Sequence, residues 1–322
     1  MGDDAQRTGW HGFFYWSSDL SRAYELLVES LLFRDGLGHP RGLVIVGESR
    51  AGKSTFAARA TVRLAVEYPQ FANRLLSIQP PSSSREGISR LENNVLKAAK
   101  HPLAFTNARE PERAFAAEAM VTRAAGLLID EAHLLYESKT TKFQEVSARY
   151  LRVMGNTTKT PLILLGTDVV RKYVALNLEL SQRLRVTAEL RRHDLDDAAS
   201  AEDFAEMLSK LQEAAPVRFM PPLTEHQMML RLFCTCEGSR GDLMDVVTRA
   251  VNRARRAGED TVDVAAWQAA YVTEFPTRAA VFNPFDDVPI RAVIKAIASQ
   301  RRARHAVASS AGKNTIRRRG DG

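Results

Sequence analysis

Gly47-Glu48-Ser49-Arg50-Ala51-Gly52-Lys53-Ser54 constrains this chain more than any other stretch. It spells G-x-x-x-x-G-K-[ST], and it follows an apolar run, Leu43-Val44-Ile45-Val46, that reads as a short buried strand. A segment of helical character begins at Ser54. Glycines let the backbone curl so that successive N–H groups converge on phosphate oxygens, and a helix N-terminus adds the positive end of its dipole. Lys53 is placed to reach the β- and γ-phosphates, and the Ser54 hydroxyl to ligate Mg²⁺. A chance glycine-rich turn has no reason to put strand, loop, lysine and helix in this order. The stretch reads as a nucleoside triphosphate site whose candidate contacts are Gly47, Glu48, Ser49, Arg50, Ala51, Gly52, Lys53, Ser54 and Thr55.

The elements around it alternate. Leu20 to Phe33 has helical apolar spacing with Ser18 as its N-cap, after an aromatic cluster, Phe13-Phe14-Tyr15-Trp16. That cluster either packs the N-terminal segment on a core or stacks on a base. Strands are expected at Leu75–Gln79, Gly126–Ile129, Pro161–Leu165 and Leu184–Leu190, with helices from the Ser82–Arg85 region to about Lys100, at Glu110–Arg123 and at Phe143–Met154. Such alternation implies a parallel sheet with helices on both faces. From about Glu202 the pattern turns to helices only, at Glu202–Glu213, Glu225–Cys236, Asp242–Arg256 and Val262–Phe275, which reads as a helical lid. The expected organisation is therefore an N-terminal segment and helix at 1–40, a nucleotide-binding domain at 41–198 and a lid at 199–280. Residues 281–322 hold a turn-rich segment around Phe282-Asn283-Pro284-Phe285 and Pro289, which either packs on the lid or serves as a docking peptide, and then a basic tail.

A phosphate loop needs a carboxylate opposite it to hold Mg²⁺, and Leu127-Leu128-Ile129-Asp130-Glu131 supplies one at a strand end. Asp130 fits the metal role, and Glu131 is placed to deprotonate the attacking water. Alone, an apolar run ending in Asp-Glu is common; it gains meaning downstream of the loop. Gln79, at another strand end, is a candidate restraint on Glu131 or a plain polar terminus. Leu162 to Leu165 leads into Gly166-Thr167-Asp168, and the carboxyl ends of such strands line the ligand crevice. Thr167 is accordingly a candidate sensor of the γ-phosphate, against the alternative that Thr167 or Asp168 caps the next helix. In Gln182-Arg183-Leu184-Arg185, Arg183 first and Arg185 second are candidates to reach a neighbouring subunit's γ-phosphate; a surface salt bridge is the competing reading. Arg240, in Gly238-Ser239-Arg240-Gly241, is a candidate nucleotide contact from the lid or part of a capping turn.

With 322 residues, 45% hydrophobic and 26% charged, the chain has room for two domains of ordinary soluble composition. No apolar stretch is long enough to span a membrane, and the start lacks a signal-peptide pattern. Cys234 and Cys236 are too close for an easy disulfide, which suits a reduced, cytoplasmic setting. The net charge of +7 sits mostly in residues 299–322, where Arg301, Arg302, Arg304, Lys313, Arg317, Arg318 and Arg319 face only Asp321. A basic arm expected to be disordered suggests a polyanion or acidic partner, unless it merely solubilises the end.

These pieces in this order resemble AAA+ ATPases, and more narrowly the TniB/TnsC family of transposition ATPases. The resemblance rests on Gly47–Ser54, on Leu127–Leu135 with its Asp-Glu-Ala-His, on Leu162–Thr167 and on Gln182–Arg185. It implies an ASCE-type parallel sheet flanked by helices with a C-terminal helical lid, and Mg²⁺-dependent ATP hydrolysis. It also implies oligomers, rings or helical filaments, on double-stranded DNA, recruitment of a transposase, and usually a target-selecting partner protein. Ser83, Ser84 and Arg85, with Lys139, Thr140, Thr141 and Lys142, are side chains suited to duplex phosphates, or else ordinary solvated loops. No helix-turn-helix or zinc-finger pattern indicates sequence-specific readout. Two rival functions stand beside this one: a helicase-loader-like remodeller, and a slow NTP-dependent signalling or scaffold switch that binds no DNA.

Overall fold

Strands buried on both faces need no polar alternation, and the near-continuous apolar runs of the first half of the chain form a parallel sheet for that reason. The computed structural model describes residues 13–32, 41–80, 87–106, 109–136, 141–300 and 302. The candidate DNA contacts Ser83, Ser84, Arg85, Lys139 and Thr140, the side chains of Thr141 and Lys142, and the tail beyond 302 lie outside the described residues. The chain divides into two compact units, one from Ser18 to Arg191 and one built from the residues before Ser18 together with those from Arg192 onward.

In the first unit the order is α1 (Ser18–Leu32), β1 (Leu43–Gly47), α2 (Lys53–Glu67), β2 (Leu75–Ile78), α3 (Gly87–Ala98), α4 (Glu110–Arg123), β3 (Gly126–Ile129), α5 (Thr141–Thr158), β4 (Leu162–Gly166), α6 (Asp168–Leu176), α7 (Leu178–Arg183) and β5 (Val186–Leu190). The sheet order is β2-β3-β4-β1-β5, with every neighbouring pair parallel. Period-two alternation sends Val44, Val46, Leu127, Ile129, Leu162 and Leu164 to the face covered by α3 to α7. The intervening Leu43, Ile45, Leu128 and Ile163, equally buried, point to the other face, where α1 and α2 pack on β1. The fifth strand starts at Val186 rather than Leu184, because Leu184 closes α7 with its N–H on the Leu180 carbonyl and buries its side chain.

This order decides where chemistry can occur. β4 lies between β1 and β3, with Val46 beside Gly166 and Ile129 beside Leu164. The carboxyl ends of three neighbouring strands thus carry, in turn, the glycine-rich loop, Thr167, and Asp130-Glu131. Carboxyl ends of parallel strands are where open α/β sheets bind ligands.

The second unit contains α8 (Ala198–Ala214), β6 (Arg218–Phe219), α9 (His226–Cys236), α10 (Arg240–Ala257), β7 (Thr261–Val262), α11 (Val264–Glu274), the short α12 (Pro276–Ala279) and a helical run over 290–300. It departs from the helices-only expectation: β6 and β7 pair in parallel, Phe219 beside Val262, both buried. Two residues per strand are too few to leave a period in the sequence. α8 also begins before Glu202, because the Asp197 carboxylate accepts the Ala199 N–H at 3.1 Å and caps the helix there.

The segment around Phe285 packs inside this unit. Phe285 is 1% exposed and stacks on Trp267, centroids 5.6 Å apart and planes at 17°, with its edge against Tyr271. Arg231 donates to the carbonyls of Pro284, Asp286 and Val288, and Val293 and Ile297 of the following helical run complete the core. Of the two readings of this segment, packing on the lid is the one observed. Phe285→Ala is therefore expected to destabilise the unit by about 3–5 kcal/mol, as for other buried phenylalanines. Urea unfolding followed by tryptophan fluorescence would check it, and a loss below about 1 kcal/mol would return the segment to the docking-peptide reading. At the other end of the chain Phe13 and Tyr15 pack against the same core, and the Tyr15 hydroxyl donates to Asp203 Oδ1 at 3.0 Å. Phe14 and Trp16, one position out of phase, meet each other edge to face at 5.0 Å. Cys234 and Cys236 are free and buried, and burial pushes each thiol up to about 12, so neither is a ready nucleophile.

Candidate nucleotide site

The loop after β1 needs backbone conformations that few residues adopt. Gly52 has φ +92°, where a side chain would be strained although no atom lies within 4 Å of a Cβ placed there. Arg50 is also left-handed, at φ +65°. Gly52 is the N-cap of α2 and offers no side chain to its first amides, so these N–H groups are not spent on a capping side chain. Lys53 opens the helix and is buried, its ammonium donating to the carbonyls of Gly47 at 3.0 Å and Glu48 at 2.8 Å. Burial is the main influence and lowers its pKa; the charges of Glu131, then Asp130, then Glu48 resist that. Both carboxylates at the end of β3 therefore act electrostatically on the loop lysine. Ser54 and Thr55 are exposed at the start of the helix.

Asp130 is 5% exposed and continues the sheet, its N–H donating to the Ile78 carbonyl at 2.9 Å. Its Oδ1 accepts the Glu131 N–H at 2.9 Å. That bond accompanies a sharp turn: Glu131 is left-handed at φ +53°, ψ +34°, a conformation of order 1–3 kcal/mol above the common wells for such a residue. A single short turn, Ala132–Leu135, follows.

His133 in that turn is a residue the sequence reading quoted but gave no role. Its Nε2 lies 3.2 Å from Glu131 Oε2, while its Nδ1 is buried with no hydrogen-bond partner. A Cβ on Gly166 would come within 3.1 Å of the His133 amide nitrogen and 3.3 Å of its Nδ1, so glycine at the end of β4 lets the histidine sit close. His133 is thus the side chain that approaches Glu131. Gln79, a candidate restraint or a plain strand end, is exposed, and its carbonyl accepts from Asn94 at 2.7 Å. Only a turn that doubles back through a positive φ brings Glu131 and His133 together, which the spacing Glu-x-His does not announce.

Thr167 stands at the N-cap of α6 but makes no capping bond with its side chain, and its hydroxyl is buried without a partner. Asp168 directs its carboxylate to Arg171 and to Lys172, the latter at 3.0 Å. The Thr167 hydroxyl and His133 Nδ1 are thus two buried polar atoms around one strand end without a hydrogen-bond partner among the described residues. Buried polar groups are rarely left so without reason.

The two candidate arginines differ. Arg183 donates to the Gly155 carbonyl at 2.8 Å and to the Asn156 side chain, at the C-terminal end of α5 in its own unit, and burial lowers its pKa. Arg185 is exposed and makes no hydrogen bond or ion pair among the described residues. Arg240 belongs to the second unit, where it opens α10 and donates to Ser17 Oγ at 2.9 Å, while Ser239 caps the helix by accepting the Asp242 N–H.

The donor set suits Mg²⁺. One hydroxyl, Ser54, and one carboxylate, Asp130, are the few protein oxygens such an ion takes when phosphates and water supply the rest. Among the described residues no group of three or more His, Cys, Asp or Glu could hold a metal unaided, and no helix is long and apolar enough to cross a membrane.

Comparison with known proteins bears on the fold. Residues 36–174 match the family model described as AAA domain. A sequence search of curated proteins gives no match. Among solved structures, the Aeropyrum pernix ORC1 protein in complex with DNA superposes with a TM-score of 0.59 at 17% identity, covering 84% of this chain and 67% of that one. The ORC2 protein of the same organism, in ADPNP–ADP complexes, gives 0.58 at 13% identity over 79% and 67%. Drosophila ORC bound to DNA gives 0.55 at 15% identity over 86% and 66%. At these identities the likeness concerns the fold. The match over residues 36–174 and the likeness to these structures agree on the fold, a five-stranded parallel sheet flanked by helices with a helical C-terminal region.

Proposed function

We propose that this chain is an ATPase that assembles on duplex DNA in its ATP-bound form and hands that DNA to a transposase, with a target-selecting protein as a further partner. The observation that carries the enzymatic part is the adjacency of β1, β4 and β3, which gathers Lys53, Thr167 and the Asp130-Glu131 pair at one sheet edge. In this reading the loop from Gly47 to Thr55 holds the phosphates and Lys53 reaches the β- and γ-phosphates. Ser54 and Asp130 hold Mg²⁺, which offsets charge building on the transferred phosphoryl group. Glu131 takes the proton of the attacking water, and the free hydroxyl of Thr167 donates to the γ-phosphate or orients that water. We assign the guanidinium supplied by a neighbouring copy to Arg185, because Arg183 is already engaged by Gly155 and Asn156. Arg240, which donates to Ser17 within its own unit, stays the candidate nucleotide contact from the lid.

The DNA part rests on the TniB/TnsC resemblance and on likeness in fold to ORC proteins solved with DNA. A second reading stands beside it, in which the client is a helicase rather than a transposase. ATP turnover measured without DNA, with single strands and with duplex separates the readings. Duplex is expected to raise the rate and to yield ATP-dependent oligomers sized by light scattering. Equal stimulation by single strands would favour the helicase-loader reading, and a slow rate indifferent to all three would sink DNA-coupled function.

A further inference from the structure

We infer that His133 is a positioning residue for Glu131, holding its carboxylate in the working pose through the close approach of its Nε2 to Oε2. This deepens the proposed hydrolytic role of Glu131 and rests on it. Three observations carry the inference. The two groups are 3.2 Å apart, with the His133 side chain 12% exposed and the Glu131 side chain 36% exposed. Glu131 is left-handed, and its backbone turn throws the side chain back toward the histidine two residues on. The ring lies beside Gly166, where an added Cβ would come within 3.3 Å of Nδ1, so any side chain at the end of β4 would crowd it.

The pose it holds faces the phosphate loop. Among the charges that favour the Lys53 ammonium, Glu131 acts more strongly than Asp130 or Glu48. One carboxylate oxygen is engaged and the other stays open as the proton acceptor. With Nε2 donating, a neutral ring presents a lone pair at Nδ1, buried without a protein partner. Gly166, against which that atom sits, directly precedes Thr167, whose hydroxyl is also unpartnered. His133 thereby ties the general base to the same strand end that carries the candidate γ-phosphate sensor.

Removing an orienting partner of a reactive group typically costs 10–100-fold in activity. His133→Ala is expected to lower kcat by about that factor, with KM for ATP and the Kd of a fluorescent ATP analogue within about threefold of wild type. His133→Gln, whose amide nitrogen reaches where Nε2 does, should recover most of the loss. His133→Asn, whose amide reaches only the Nδ1 position, should not. In a Glu131→Gln background His133→Ala should cost little more, since the two residues act as a unit. A readout independent of turnover is the ¹⁵N spectrum of the seven histidines in nucleotide-free protein, assigned through His133→Gln. Glu131→Gln should shift the His133 Nε2 signal there. A shifted signal with no wild-type ATP turnover would sink the catalytic reading of Glu131 while leaving the contact standing. An unshifted signal, or equal losses from His133→Ala with and without Glu131, would overturn the positioning role. A loss in KM with kcat unchanged would overturn it too.

Discussion

Lys53→Ala is expected to lower affinity for ATP by at least about 100-fold, since hydrogen bonds to a charged group contribute about 1.5–3 kcal/mol each and 1.4 kcal/mol is tenfold. The ammonium is buried and already bonded to two loop carbonyls, so it stands where phosphates would arrive without further ordering of its four-carbon stem. Burial lowers its pKa, and the charges of Glu131, Asp130 and Glu48 oppose that shift. Ligand that binds only the folded form stabilises it by about 2.7 kcal/mol at one hundred times Kd. Wild-type protein should therefore melt higher with Mg-ATP, and the variant should not. The melting point without nucleotide serves as the control, because the Gly47 and Glu48 carbonyls lose their donor in the variant. Wild-type affinity in Lys53→Ala would remove the basis for the nucleotide site, and with it ATP as the switch for assembly on DNA.

How much of this was legible beforehand depended on whether the cause was local. The turn from β1 into α2 follows from glycines, a lysine and an apolar run within a dozen residues, and all of them could be read in order. Helix α4 and strand β3 likewise fall at Glu110–Arg123 and Gly126–Ile129, where a proline in the first turn and a fully apolar run mark them. The order of the strands could not be read that way. That β4 inserts between β1 and β3 depends on pairings between segments tens of residues apart, and it is this insertion that brings Thr167 between the loop and Asp130. The partner of Glu131 was hidden for another reason. Periodicity describes regular elements, while the contact with His133 depends on one positive φ in a turn. Arg183 and Arg185 look equivalent on paper, and only the end of α5 distinguishes them by occupying the first. The segment around Phe285 was undecided because aromatic residues among prolines suit a docking peptide and a core equally. Trp267 and Tyr271, which settle it, lie on α11.

Glu131→Gln is expected to bind ATP within about threefold of wild type and to hydrolyse it about 10²–10⁴-fold more slowly, the range associated with loss of a positioned general base. The replacement nearly preserves shape. Glutamine can occupy the same left-handed turn at the same strain, and its amide oxygen can still accept from His133, so the geometry around β3 should persist. What disappears is a proton acceptor and one negative charge beside Lys53. Nucleotide held without turnover should keep the assembled form populated, because the ligand shifts the equilibrium only while it stays bound. The variant should thus remain on duplex DNA longer than wild type after dilution into buffer without free ATP, as followed by fluorescence anisotropy of labelled duplex. Single-turnover measurements with limiting ATP would separate slow chemistry from slow product release. Rapid departure from DNA with hydrolysis suppressed would mean that turnover does not set the lifetime of the assembly. Unimpaired hydrolysis would move the base from Glu131 to another polar group at the carboxyl ends of these strands.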